Sequence, residues 1–109
     1  HKLCFLGMDD GLVDRTHSGC YDQYVKKSAV TFIWTVIPYR TEWRYSILSP
    51  KLIALDAGHV CQNLYLACAA TGAGTCAIGA YDQEAMDAVL GLDGEEEFVV
   101  YVATVGKVK

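Results

Sequence analysis

No stretch of this chain is basic enough to follow a phosphate backbone, and none is apolar for long enough to cross a bilayer. Lys and Arg number 9 against 13 Asp and Glu, for a net charge of −4. The imbalance is concentrated in residues 51–109, where eight acidic residues face only Lys51, Lys107 and Lys109. With no basic stripe, nucleic acid is not an expected partner. The apolar runs fall far below the roughly 18–20 residues of a membrane span. The helical pattern near residue 60 is interrupted by Asp56, His59, Gln62 and Asn63. The five cysteines, Cys4, Cys20, Cys61, Cys68 and Cys76, are odd in number and contain no C-x-x-C pair. Neither a disulfide framework nor a zinc ribbon is indicated, and they read as reduced core thiols of a cytoplasmic protein. Internal repeats, low-complexity tracts and linkers are also lacking, which leaves one domain over residues 1–109. There is no initiator Met and no signal-peptide pattern. The opening "HKLCFLGMDDG" reads as though cut from something longer, with His1 fitting a tag remnant.

What the chain has in excess is apolar character. Hydrophobic residues make up 52% and the mean hydropathy is +0.19. That is more apolar surface than a small monomer readily hides, which points to an oligomer or to part of a larger domain.

The periodicities place the elements. Residues 7–19 carry Gly, Asp, Ser and Thr and read as loop, with a short helix expected within 20–29. "AVTFIWTVIP" (29–38) is an uncharged β-branched and aromatic run, expected as a strand buried on both faces. "YRTEWRYSILS" (39–49) reads as a short helix or turn. A long helix is expected over 51–71, with Ser49 as cap and Pro50 in its first turn. Ile53, Ala57, Val60, Cys61, Leu64, Ala67, Cys68 and Thr71 form its apolar stripe. Leu52, Leu55, Leu66 and Ala70 make much of the rest apolar, so burial nearly all round is expected. Gly72 caps it. A short strand at 74–80, a helix at 82–92 capped by Asp82 and ended by Gly91, and a strand at 98–105 complete an α+β or α/β layered fold. The run Glu95–Glu97 reads as a solvated loop.

Several motifs admit two readings. In "ATGAGTCAIGAYD" (70–82), Gly72, Gly74 and Gly79 leave the backbone bare. This suits either a close approach to a ligand or a tight turn that needs positive φ. The spacing does not fit a dinucleotide fingerprint. Asp56, His59 and Asn63 share one helix stripe. No third metal ligand joins them convincingly, so His59 reads as a buried, hydrogen-bonded histidine, the alternative being a polar interface seam. Arg40, Trp43, Arg44 and Tyr45 suit either a site entrance or an edge where Arg stacks on an aromatic ring. Asp14, His17 and Ser18 are neighbours in sequence, which is not triad geometry.

Taken in order, "VTFIWTVIPYRTEWRYS", "LDAGHVCQNL", "GAGTCAIGAY", "LGLDGEEE" and "VVYVATVGK" resemble the C-terminal half of the nitroreductase family. Within it they are most similar to the SagB-type dehydrogenase branch, over residues 29–107. The resemblance implies an α+β, nitroreductase-like fold, here partial, with a mixed sheet, a long central helix and three-layer packing. It implies a homodimer with FMN at its interface and flavin-mediated hydride transfer from NAD(P)H or an azoline-type peptide substrate. By the same resemblance, Gly74, Cys76, Ala77, Ile78, Gly79 and Ala80 lie along the flavin, and Lys107 and Lys109 reach toward its phosphate. The pair at Arg44–Tyr45 stands where the branch usually has Lys-Tyr. Arginine effectively cannot lose its proton, so Tyr45 is the expected proton donor and Arg44 cannot be a base. The family's N-terminal half, which holds the flavin phosphate, has no counterpart here. The rival expectation is therefore a truncated, non-catalytic binding or dimerisation module.

Overall fold

The computed structural model describes residues 2–108 and places seven main elements in chain order. They are α1 (Asp10–Gly19), β1 (Val30–Val36), α2 (Tyr39–Tyr45), α3 (Ser49–Thr71), β2 (Ala73–Ile78), α4 (Gln83–Leu90) and β3 (Phe98–Lys107), with 3-10 turns at Val25–Lys27 and Ser46–Leu48. The strands form one sheet in the order β1-β3-β2. Both pairings are antiparallel. The α+β class and the long helix stand as expected, while a parallel strand of the expected mixed sheet is not among these three.

β3 is the central strand, and a bulge explains its burial. Trp34 pairs with Tyr101 and Thr35 with Val99, so Val100 has no partner on β1. One extra residue reverses the alternation of faces. Val99 and Val102, three apart, therefore point into the same core, both fully buried. They meet Ile78, Cys20, Val25 and Met86 there, with Ile33, Tyr81, Leu90 and Leu92 packed around them. α4 covers this face of the sheet, and α1 packs against α4. On the other face, α3 lies along Trp34, Val36 and Val100, which meet its Ile53, Ala57 and Val60 around a cavity of about 140 Å³. Helices therefore lie on both sides of the sheet.

Several expectations are corrected. Residues 10–19 are helix rather than loop. The Asp9 carboxylate accepts from the Leu12 N–H at 2.8 Å, an N-cap that offsets the weak propensities behind it. The segment 20–29 forms only the 3-10 turn Val25–Lys27. β1 is an edge strand, half-buried rather than sandwiched on both faces. In α3, Ser49 is the first helical residue and donates to the Ser46 carbonyl at 2.6 Å instead of capping. Of the expected stripe, Cys61 and Cys68 are buried and Ile53, Ala57 and Leu64 half-buried, while Val60, Ala67 and Thr71 are exposed. The rest of α3 is open, with Leu55, Tyr65 and Leu66 exposed. His59 is exposed rather than buried, as are Asp56 and Asn63. Apolar character alone cannot bury a helix face that nothing in the same chain reaches.

Gly72 ends α3 with φ 73°, and Gly91 ends α4 with φ 68°, the left-handed caps that glycine accommodates. Asp82 caps α4 through the Ala85 N–H at 3.0 Å.

Candidate functional site

The outer edge of β2 and the three residues beyond it form the candidate site. The Ala77 N–H donates to the Tyr65 hydroxyl of α3 at 2.9 Å. An N–H that leaves the ladder marks a non-hydrogen-bonded pair. Ala77–Ala103 is thus such a pair, and Ile78–Val102 beyond it is the bonded kind. Continuing the alternation, the Ile78 carbonyl faces β3 and the trans peptide turns the Gly79 N–H outward. Gly79 and Ala80 are exposed. Neither N–H finds a hydrogen-bond partner among the described residues.

The three glycines of this stretch are there for different reasons. Gly72 is required by its positive φ. A Cβ on Gly74 would come within 3.0 Å of the Val108 side chain. Gly79 has no positive φ, and a Cβ there would meet nothing within 4 Å. Nothing inside the chain demands a glycine at position 79.

Behind this bare edge the chain is tightly held. The Gln23 side-chain amide donates to the carbonyls of Cys20 and Ala80, both at 2.8 Å. The Asp82 N–H donates to the Gly19 carbonyl at 2.8 Å. The Tyr81 hydroxyl donates to the Val99 carbonyl at 3.1 Å. Burial, followed by the Asp87 carboxylate and Cys20, pushes the Tyr81 phenol above its ordinary pKa. Asp87 is itself buried. It accepts from the Val99 N–H at 2.7 Å and from the Gln83 amide at 3.1 Å, and that amide also donates to the Val99 carbonyl at 2.8 Å. β2 ends before it reaches Val99, so side chains of 81–87 take the place of a strand. Sequence reasoning missed Gln23, Tyr81 and Asp87. The i, i+4 spacing of Gln83 and Asp87 was a signal for one pair, whereas Gln23 carries none.

The other expected site residues are dispersed. Ile78 is buried in the core and offers only backbone to the edge. Cys76 is half-buried, with its thiol 3.6 Å from the Ala77 carbonyl. Lys107 is exposed and pairs with Ala73, about 20 Å along the strand from Gly79 at 3.3 Å per residue. Lys109 lies outside the described residues. Arg44 and Tyr45 end α2, beyond β1 and so across the sheet from β2. The Arg44 guanidinium sits 5.4 Å from the Tyr45 ring centre, a cation–π pair. α2 packs against α3 and the 3-10 turn after it rather than against β2. Among the described residues no cluster of His, Cys, Asp or Glu is arranged to hold a metal, and no helix is long and apolar enough to cross a membrane.

Residues 8–107 match the nitroreductase family along their length. The chain belongs to the nitroreductase family. The match begins at residue 8, so it includes α1 and the Gln23 turn, ahead of the resemblance that starts at residue 29. No curated protein matches the chain. Among solved structures it is similar to a protein described as a nitroreductase from Anabaena variabilis, at 25% identity and a TM-score of 0.82, covering 90% of this chain and 20% of that one. It also shares the fold of nitroreductase A from Vibrio parahaemolyticus, at 18% identity and a TM-score of 0.74, covering 93% of this chain and 47% of that one. A third likeness of fold is to a protein described as an NAD(P)H:FMN oxidoreductase from Staphylococcus epidermidis, at 16% identity and a TM-score of 0.70, covering 92% and 63%. The chain therefore spans less than two thirds of each of these three proteins.

Proposed function

We propose that this nitroreductase-family chain supplies one wall of an FMN site in an oxidoreductase, of the SagB-type branch, that moves a hydride between NAD(P)H or an azoline-type substrate and the flavin. The observation that carries this reading is Gly79. Neither φ nor packing requires a glycine there, yet its side chain is absent where the Gly79 and Ala80 N–H groups have no partner among the described residues. A flat ring edge seated against such a backbone needs that bareness. The residues present fit this part of the cofactor. When bound, FMN supplies the two-electron redox chemistry, and the protein supplies position and electrostatics. The Gly79 and Ala80 N–H groups would hydrogen-bond the ring edge and stabilise negative charge there. Lys107, at the far end of the β2–β3 pairing, would offer a point charge to the phosphate. Tyr45 would donate a proton, and Arg44 beside it would hold its charge throughout. Because both lie across the sheet from Gly79, they would serve a site completed by a second copy, in a homodimer that covers the open face of α3.

A second reading is a non-catalytic dimerisation module. It is favoured by Arg44, which stands where the branch usually has a lysine and cannot act as a base. The visible spectrum separates the two. The enzyme reading expects a purified chain that takes up FMN and shows flavin absorption at roughly 450 nm. A chain that stays colourless in excess FMN overturns it. Gly79→Val should weaken FMN binding at least about tenfold, since its side chain enters the space of the ring from a Cβ that meets nothing in the protein within 4 Å. Unchanged affinity would remove the backbone contact.

A further inference from the structure

We infer that Gln23 is a positioning residue for the backbone donors of this edge, and that the donor it aims is the Tyr81 N–H. The inference rests on the proposed FMN site. Gln23 lies in the connection between α1 and β1, which is remote in sequence from β2. Its amide nitrogen reaches two carbonyls, Cys20 at 2.8 Å and Ala80 at 2.8 Å. Both partners are acceptors, so the amide orientation is settled by chemistry: only the NH₂ can satisfy both. The Ala80 carbonyl belongs to the peptide joining Ala80 to Tyr81. In a trans peptide the C=O and the following N–H point in opposite directions. Holding the carbonyl toward Gln23 therefore turns the Tyr81 N–H away from it, and that N–H has no hydrogen-bond partner among the described residues. The Gly79 N–H is turned outward by the β2–β3 ladder. Two devices of different origin, a strand and a glutamine, thus orient donors two residues apart on one bare segment.

The connection carrying Gln23 is shaped for this reach. Tyr21, Asp22 and Tyr24, which surround Gln23, all have positive φ, at 53°, 60° and 41°, a conformation that side chains disfavour. The Asp82 N–H bond to Gly19 at 2.8 Å anchors the far side of the segment to the same connection. Of residues 79–82, Ala80 is gripped through its carbonyl, Tyr81 through its hydroxyl and Asp82 through its N–H, and Gly79 is left open.

The test pairs Gln23→Ala with Gln23→Glu, which keeps the shape but cannot donate. In the chain without flavin, both variants should lower the amide order parameters of Gly79, Ala80 and Tyr81 while α4 and β3 keep theirs, as measured by NMR relaxation. Order unchanged at 79–81 overturns the clamp even if the melting temperature falls. In the second arm, FMN is titrated into the wild type and the variants. Affinity should fall about tenfold in each variant, and the reduction potential of the bound flavin should become more negative. A wild type that binds FMN, with variants that bind equally well at the same potential, overturns the inference alone. A wild type that takes up no FMN overturns the proposed function, and with it the purpose given to the clamp.

Discussion

Val99 shows how a single residue can be satisfied on the side where its neighbouring strand has ended. Past the end of β2 its N–H goes to the Asp87 carboxylate and its carbonyl to Tyr81 and Gln83. Val99 and Asp87 are shielded from water, and a buried group that loses its partner bears the full desolvation cost. Asp87→Ala would strip the Val99 N–H of its acceptor and leave the Gln83 amide half-used. We expect the unfolding free energy to fall by about 2–3 kcal/mol in urea titration. Gln83→Ala should cost less, because the Asp87–Val99 bond survives it. A loss at Asp87 no larger than at Gln83 would mean that the carboxylate does not hold the strand. The residues around Gln23 oppose this economy: three non-glycine residues at positive φ cost roughly 1–2 kcal/mol each, and a chain selected for stability alone has no reason to keep them.

Among the elements, α3 divides what a sequence can say from what it cannot. Its stripe at Ile53, Ala57, Cys61, Leu64 and Cys68 was legible because helical period is a local property. The caps at Gly72, Asp82 and Gly91 were legible for the same reason, each being a local demand on φ or on one side chain. The burial of α3 was not legible, because it depends on what covers Leu55 and Leu66, and among the described residues nothing buries them. α1 was missed because its stability comes from contact rather than propensity. Gly19 is buried against Met86 of α4, where a Cβ would come within 2.8 Å of the sulfur, a fit across more than sixty residues that no window of sequence contains. The bulge at Val100 was hidden too, since its effect appears only once β1 is paired. The candidate site was half legible: the bare glycine stretch could be read, but not the side chains that hold it from behind. For α3 the expectation is that replacing both Leu55 and Leu66 by Glu leaves the helix folded and abolishes self-association in sedimentation. Unaltered association would place the contact elsewhere.

Across the whole molecule the surface is too large for its mass. An 11.9 kDa protein is expected to expose about 5,900 Å², whereas this chain exposes 7753 Å². The excess is about twice the area that one partner buries in a standard protein–protein interface. The radius of gyration, 14.3 Å, likewise exceeds the roughly 13 Å of a compact domain of this length. What core there is carries an alkaline weakness. Burial raises the Cys20 thiol above its ordinary 9.0, and burial with Asp87 raises the Tyr81 phenol above 10.0. Both groups bind their protons more tightly when folded. Their contribution to stability is complete below the unfolded values and is lost as pH rises through the folded ones. The urea midpoint should therefore decline from about pH 9 upward, and Tyr81→Phe should flatten the upper part of that decline. A midpoint level through this range would show that neither group is shielded in solution. The outer edge of β2 has a different consequence. From Gly72 to Tyr81 it carries no charge and no proline, the two devices that keep sheet edges from recruiting one another. A lysine or a proline there would guard the chain against aggregation, but it would also fill the space that the proposed flat ligand would take. A chain with this edge uncovered is consequently one exposed strand away from pairing with copies of itself, and its solubility becomes a measure of how well that edge is occupied.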